Sequence, residues 1–298
     1  YEVHGTVKEE LENGETLENI EHIIHKIKLH RLDIKNYDAI MKIVEEAKPD
    51  ECYHLAAQSF TNLSFEEAPL TFLTNINGTH HLLEAIVRKC PKCRFYFAGS
   101  GDMFGNAEKC PQDELTHFRP RNYYAVSKIA GHNLTSLYRQ NHGLFACCGI
   151  LFNHESPRRG NIFVTRKISS TVARIFHGSR EKLKLGDLTA RRDWGYSPDY
   201  VHAMWLMLQQ TTPSDYVIST GETHSVGEFV EKAFEVAGLN WKEHVEIDKE
   251  LFRGYEKNIL CGDFTKAKRI LGWAPKVKFD ELVKIMVEAD IKKLKGDS

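Results

Sequence analysis

Tyr124-Ala-Val-Ser-Lys128 sets a tyrosine and a lysine four residues apart, a spacing that puts both on one face of a helix. An ammonium beside a phenol favours the phenolate and lowers the phenol's pKa. A phenol that ionises near neutral pH works as a general base and, when protonated, as an acid. Outward from this pair, Arg94-Phe-Tyr-Phe-Ala98 reads as a buried strand running into Gly99-Ser-Gly-Asp102. On the other side Phe145-Ala-Cys-Cys-Gly-Ile-Leu-Phe152 reads as a second buried strand. The order is strand, loop, helix with Tyr and Lys, strand. The Tyr-x-x-x-Lys spacing alone is weak, because an exposed helical pair produces it equally well.

The same alternation extends in both directions. Tyr1 to Gly5, Ile27 to Leu32 and Glu51 to Ala57 read as strands, and Lys8 to Glu18 as a polar, Glu-rich loop. Tyr37 to Ala47 and Leu73 to Arg88 have helical periodicity. Strands alternating with helices of this length predict an α/β fold with a doubly wound parallel sheet. After Phe152 the stretch from Asn153 to Lys167 is polar and basic, followed by a helix over Ile168 to His177. A strand is predicted over Lys182 to Gly186, a helix over Tyr200 to Gln210 and a strand over Tyr216 to Thr220. Helices over Val226 to Ala237 and Phe279 to Leu294 close the chain. This divides it into an α/β domain over 1–152, of the doubly wound kind that can bind dinucleotides, and a mainly substrate-facing α/β domain over 153–298. Residues of about 196–221 are expected to pack back on the first domain.

Composition narrows the function. A net charge of −1 gives no electrostatic footprint for nucleic acid, so an anionic ligand must be met by local Lys and Arg. The apolar run from Leu144 to Phe152 is too short to span a bilayer. Seven scattered cysteines suit a reducing, cytoplasmic compartment. Cys90-Pro-Lys-Cys93 stands without a second pair, so no metal site is expected. A dinucleotide fold also needs Gly-x-Gly-x-x-Gly where a first strand meets its helix. Gly99-Ser-Gly101-Asp-Met-Phe-Gly105 follows a strand, but its third glycine is one residue late and no amphipathic helix follows. Either the chain is not a dinucleotide protein, or its first strand and phosphate loop lie before Tyr1; the absence of a leading methionine favours the second.

The stretch Gly149-Ile-Leu-Phe-Asn-His-Glu-Ser-Pro-Arg-Arg-Gly160, continued by Phe163-Val-Thr-Arg-Lys-Ile168, resembles the signature of the GDP-mannose 4,6-dehydratases. These belong to the extended short-chain dehydrogenase/reductases. Supporting segments run in the same order: Leu55-Ala-Ala-Gln-Ser59, the Tyr124 to Lys128 motif, Arg192-Asp-Trp-Gly195, Phe252-Arg253 and Leu271-Gly-Trp273. The resemblance covers essentially the whole chain. It implies a Rossmann-like sheet whose first strand and glycine turn precede Tyr1.

The resemblance also implies roles. Tyr124 takes the C4 hydroxyl proton while C4 hydride passes to NADP, Lys128 tunes it and holds the nicotinamide ribose, and Ser100 supports the C4 oxygen. The hydride returns to C6, giving GDP-4-keto-6-deoxy-mannose. Asp102 stands where the family has the Glu that removes the C5 proton, one methylene shorter. Asp33 and Ile34 match the pair that holds adenine, and Leu55, Ala56, Ala57, Gln58 and Ser59 line the cofactor groove. Asn153, Lys167, Arg192, Arg253 and Glu256 match positions that hold the GDP-sugar. Lys8 and Glu9 replace two arginines that grip the NADP 2′-phosphate and build a tetramer contact, leaving NAD open as cofactor. The partners implied are a GDP-sugar and a second copy, in a dimer or tetramer. A nucleotide-sugar epimerase or 4-keto reductase would keep Tyr124 and Lys128 without a C5 base. A non-catalytic nucleotide-sugar-binding fragment is a third reading, motivated by the missing phosphate loop.

Overall fold

A computed structural model describes residues 1–8, 17–60, 63–252 and 259–296. They form two compact units. The first comprises 1–103, 120–150 and 206–215, and the second 104–119, 151–205 and 216–298.

The first unit has the α/β alternation expected. Strands β1 (His4–Val7) and β2 (Lys28–Arg31) pair in parallel. Strands β3 (Glu51–His54), β4 (Arg94–Ala98) and β5 (Ala146–Leu151) form a second parallel array with β4 central. Parallel strands are buried on both faces, and Phe95, Tyr96, Phe97, Cys147 and Cys148 are at most 1% exposed. Helix α1 (Tyr37–Ala47) starts where the Asn36 side chain accepts the Ala39 N–H and buries Ile40 and Val44. It packs on α3 (Gly78–Lys89), which buries Leu83, Ala85 and Ile86. The long helix α4 (Tyr123–His142) is capped by the Asn122 side chain on the Ala125 N–H and ends at Gly143 with φ of 64°. Glycine takes that left-handed turn without a Cβ penalty. Gly131 lets α4 lie against β4: a Cβ there would meet Phe97 Cζ at 2.2 Å.

The helix expected over Leu73 to Arg88 proves longer and broken. It comprises α2 (Ala68–Phe72), a π turn (Leu73–Asn77) and α3. Pro69 sits in the first turn of α2, where its missing N–H costs nothing.

In the second unit β6 (Asn153–Glu155) lies inside a stretch whose polarity suggested no strand. Helix α5 (Val164–Phe176) starts four residues before the expected Ile168. Thr165 and Arg166 are polar yet buried, because Thr165 donates to Glu155 at 2.6 Å and Arg166 pairs with Asp290. Short strands β7 (Leu183–Leu185), β8 (Arg191–Arg192) and β9 (Trp194–Tyr196) follow, with β9 parallel to β6. Ser197–Leu208 (α6), Val226–Val236 (α7) and Phe279–Gly296 (α8) are helical. Ile168 and Val172 of α5, Phe229 and Phe234 of α7, and Leu282 and Met286 of α8 close the core against Trp194. Among the described residues no helix is long and apolar enough to cross a membrane.

Candidate active site

Lys128 lies one helical turn after Tyr124 and is 4% exposed. Its ammonium donates to the Ala98 carbonyl at 2.8 Å, at the carboxyl end of β4. It stands 5.1 Å from the Phe97 ring centroid and 5.7 Å from that of Tyr124. Burial disfavours the cation and pulls its pKa down to about 8. Cys148 pushes the other way, but burial holds the Cys148 thiol well above its ordinary value, so it stays a neutral neighbour. An ammonium poised near 8 switches easily, and it stands beside the Tyr124 ring.

Beyond β4 the chain makes a 3₁₀ turn, Gly101–Met103, that packs on α4. Ser100 accepts the Asp102 N–H at 3.2 Å, and both side chains are half-buried. Ser100, Asp102, Tyr124 and Lys128 thus sit on two adjoining pieces of one unit. The glycine-rich run 99–105 forms this turn, not the start of an amphipathic helix.

Leu55, Ala56 and Ser59 are exposed after β3, with Ala57 and Gln58 half-buried. Asp33 accepts the Lys35 N–H at 2.9 Å and pairs with its ammonium at 3.2 Å. Ile34 packs where a Cβ on Gly78 would meet it at 3.0 Å. Lys8 is exposed after β1, and Glu9 lies outside the described residues.

In the second unit Asn153 pairs in register with Trp194. The Arg192 guanidinium donates to the Arg191 carbonyl at 2.7 Å. Between Arg192 and Trp194, Asp193 is 1% exposed. It accepts the Thr220 N–H at 2.9 Å, the Thr220 hydroxyl at 2.6 Å, and the Gly221 and Gly262 N–H groups at 3.2 Å. Lys167 lines an open groove of about 390 Å³ with Lys182, Lys184 and Arg174, and with Glu181, which pairs with Arg174 at 2.7 Å. Arg253 and Glu256 lie outside the described residues. Among the described residues no group of three His, Cys, Asp or Glu side chains is placed to hold a metal.

Sequence reasoning missed a buried polar chain behind the site. It comprises His54, Asn75, Thr79 and Ser127, each at most 3% exposed. The available signal was a pair of polar residues, Asn75 and Thr79, at i and i+4 on an otherwise apolar helix face.

Residues 1–286 match the family model described as GDP-mannose 4,6 dehydratase. The chain is 48% identical over its full length to GDP-mannose 4,6 dehydratase 1 of Arabidopsis thaliana, covering 85% of that protein. It is 44% identical over 98% of its length to the Homo sapiens GDP-mannose 4,6 dehydratase, again covering 85% of it. Among solved structures, dTDP-glucose 4,6-dehydratase from Bacillus anthracis in complex with NAD superposes with a TM-score of 0.85 at 20% identity, covering 99% of this chain and 89% of that one. RMD from Pseudomonas aeruginosa complexed with NADPH gives a TM-score of 0.85 at 22% identity, covering 98% and 100%. These likenesses establish a doubly wound, Rossmann-like fold.

Proposed function

The chain belongs to the GDP-mannose 4,6-dehydratase family, and from that premise we propose that it dehydrates GDP-mannose to GDP-4-keto-6-deoxy-mannose with a bound nicotinamide cofactor. The observation that carries the reading is Tyr124 beside the buried ammonium of Lys128, on a helix packed against the Ser100–Asp102 turn. Tyr124 takes the C4 hydroxyl proton, helped by the cation, and Ser100 hydrogen-bonds the C4 oxygen. Asp102 removes the C5 proton and passes a proton to the C6 hydroxyl, which leaves as water; when C6 is reduced, C5 takes back a proton that has exchanged with solvent. The nicotinamide, when bound, supplies a reversible two-electron oxidant at C4 and reductant at C6.

The residues present suit such a cofactor. Ligands of parallel α/β sheets sit outside the carboxyl ends of the strands, where Leu55, Ala56 and Ser59 are exposed and Lys128 reaches Ala98. Asp33 and Ile34 are the residues for adenine. NADP is the cofactor we favour, with Lys8 as an exposed cation for a 2′-phosphate, and NAD is the alternative. Asn153, Lys167 and Arg192, with Arg253 and Glu256, hold the GDP moiety. The ammonium groups of Lys167, Lys182 and Lys184 along one groove support this, since phosphates call for cationic donors. Leu70, Leu73, Tyr123 and Val126 expose apolar surface on α2, the π turn and α4, which supports a homo-oligomer through that face. The seven cysteines are all free thiols, which suits the cytoplasm.

Asp102 keeps a second reading in view. A base displaced by about 1 Å loses roughly a hundredfold in rate, and an epimerase or 4-keto reductase needs no C5 base. Incubation with GDP-mannose in deuterated water, read by mass spectrometry, separates the two. Loss of one water with deuterium at C5 is expected. Turnover without water loss would transfer the assignment to the second reading.

A further inference from the structure

Arg192 is flanked by two residues whose side chains bind one returning segment of the second unit. Arg191 donates to the Thr223 carbonyl and, at 3.2 Å, to the Thr223 hydroxyl. Arg192 itself pairs in antiparallel register with His224. Asp193 gathers more. Its Oδ1 accepts the N–H and the hydroxyl of Thr220, and its Oδ2 accepts the N–H groups of Gly221 and Gly262. An amide of the same shape offers one oxygen and two hydrogens, so only a carboxylate satisfies this set. Burial pushes the Asp193 pKa up, and the bonds from Thr220, Gly262 and Gly221 pull the other way. The donors are themselves fixed. A Cβ on Gly262 would meet Ser219 Oγ at 2.5 Å and the Phe152 ring at 2.7 Å. On either side of Gly262 the chain is bound by the fully buried Gln112. The Gln112 N–H donates to the Cys261 carbonyl at 2.8 Å, and its carbonyl accepts the Asp263 N–H at 2.7 Å. Its Oε1 accepts the Cys261 N–H at 2.9 Å, and its Nε2 donates to the Ile259 carbonyl at 3.1 Å. Gln112, Thr220–Gly221 and the 259–263 segment thus form a cradle closed around one charge. A buried carboxylate is costly unless its oxygens are fully hydrogen-bonded, and this one stands next to Arg192 in the chain.

We propose that Asp193 is a positioning residue that fixes Arg192 for the diphosphate of the nucleotide sugar. The inference rests on the reading above that Arg192 holds the GDP moiety. With both oxygens engaged and 1% exposure, Asp193 has nothing left for a ligand; it acts through the backbone it shares with Arg192. A guanidinium grips phosphate through a rigid fork of donors, so the strand that carries it must be held in one place. The partners of Asp193 lie 27, 28 and 69 residues away in sequence, which anchors that strand to segments far along the chain.

The test is calorimetric titration with GDP, and with NADPH as control, on the wild type, Arg192→Ala, Asp193→Asn and the double variant. Thermal melting checks the fold of each. Asp193→Asn is expected to raise the GDP Kd about tenfold, the scale of one charge-assisted hydrogen bond. Its NADPH Kd stays within about twofold, whereas a general structural defect weakens both ligands alike and overturns the proposal. The double variant binds GDP no more weakly than Arg192→Ala, because Asp193 acts only through that side chain. Additive losses overturn the proposal, and so does an unaltered GDP Kd in Asp193→Asn. If Asp193→Asn does not fold, Thr220→Val decides, since it keeps nearly the same shape and removes one donor. It is expected to raise the GDP Kd about threefold, half of that effect in free energy, and to add nothing in the Arg192→Ala background. The same rise in both backgrounds, or in neither, overturns the proposal. A wild type that binds no GDP, or an Arg192→Ala variant with wild-type GDP affinity, sinks the reading of Arg192 and this inference with it. A loss in Arg192→Ala without one in Asp193→Asn sinks the inference alone.

Discussion

The ammonium of Lys128 donates to the carbonyl of Ala98 at 2.8 Å, so the buried cation is held by a backbone dipole at the end of the central strand. Burial leaves its pKa at about 8 against an ordinary 10.5. The unfolded chain therefore binds more protons between these values, and stability rises with pH across that window. The cation costs the fold up to about 3 kcal/mol at pH 7, at 1.36 kcal/mol per pKa unit. Lys128→Met is expected to lose turnover by at least about a hundredfold, the scale of acid–base contributions. It should also lack the rise in stability between pH 8 and 10.5, measured by urea unfolding. The same slope in wild type and variant would show that the buried cation is not its source.

Asp102 and Tyr124 make separable predictions. With Asp102→Ala, oxidation at C4 proceeds but water is not lost, so reduced nicotinamide accumulates in a single turnover and overall rate falls by about 10²-fold or more. With Tyr124→Phe neither step occurs and no reduced cofactor appears. Stopped-flow absorbance at the reduced-nicotinamide band distinguishes them. Normal water loss by Asp102→Ala removes it as the C5 base, and normal reduction by Tyr124→Phe removes the phenol as the C4 base.

Gly131 sets how closely α4 approaches β4. A methyl there would meet Phe97 at 2.2, 2.7 and 3.0 Å across its ring carbons. Phe97 is 1% exposed, so it has little room to give. Overpacking of this kind costs about 1–3 kcal/mol. Gly131→Ala is expected to lose that much in chemical unfolding. It should also lower turnover, because Lys128 stands one turn away on the same helix and over the same ring. Undiminished stability would mean that helix and strand separate freely at this point.

Much of this was legible in the sequence where local periodicity and packing agree. Tyr37–Ala47 carries its apolar face, its Asn36 cap and its stop before Pro49 in order. Helix α4 runs from the Asn122 cap to Gly143 as its composition suggests. The π turn was not legible, because one inserted residue leaves the apolar spacing on either side intact. Nor was the start of α5: Arg166 reads as solvent-facing until Asp290, far along the chain, is seen to pair with it. The motif residues Ser100, Asp102, Tyr124 and Lys128 were visible as types at a spacing. The buried polar chain behind them was not, because Asn75 finds its partners in Gln58 and Ser127, far away in sequence.

The buried imidazole of His54, at one end of that chain and 2.8 Å from Thr79 Oγ1, makes a prediction about acid. His54 is 3% exposed, and burial pulls its pKa down to about 3, with the Lys128 charge acting in the same direction. The unfolded histidine protonates near 6.5 while the folded one does not, so the unfolded state binds the extra proton between about 6.5 and 3. Stability must fall as pH drops through that window, by up to 1.36 kcal/mol per unit from this residue alone. His54→Gln keeps an N–H donor for Thr79 and does not titrate. It is expected to unfold at lower urea than the wild type at pH 7, owing to imperfect fit, yet to lose about 3 kcal/mol less between pH 6.5 and 4. Urea midpoints at the two pH values measure the difference directly. Parallel losses in wild type and variant would mean that His54 accepts its proton without unfolding, and that the chain from His54 through Thr79 to Asn75 tolerates a charge at its head.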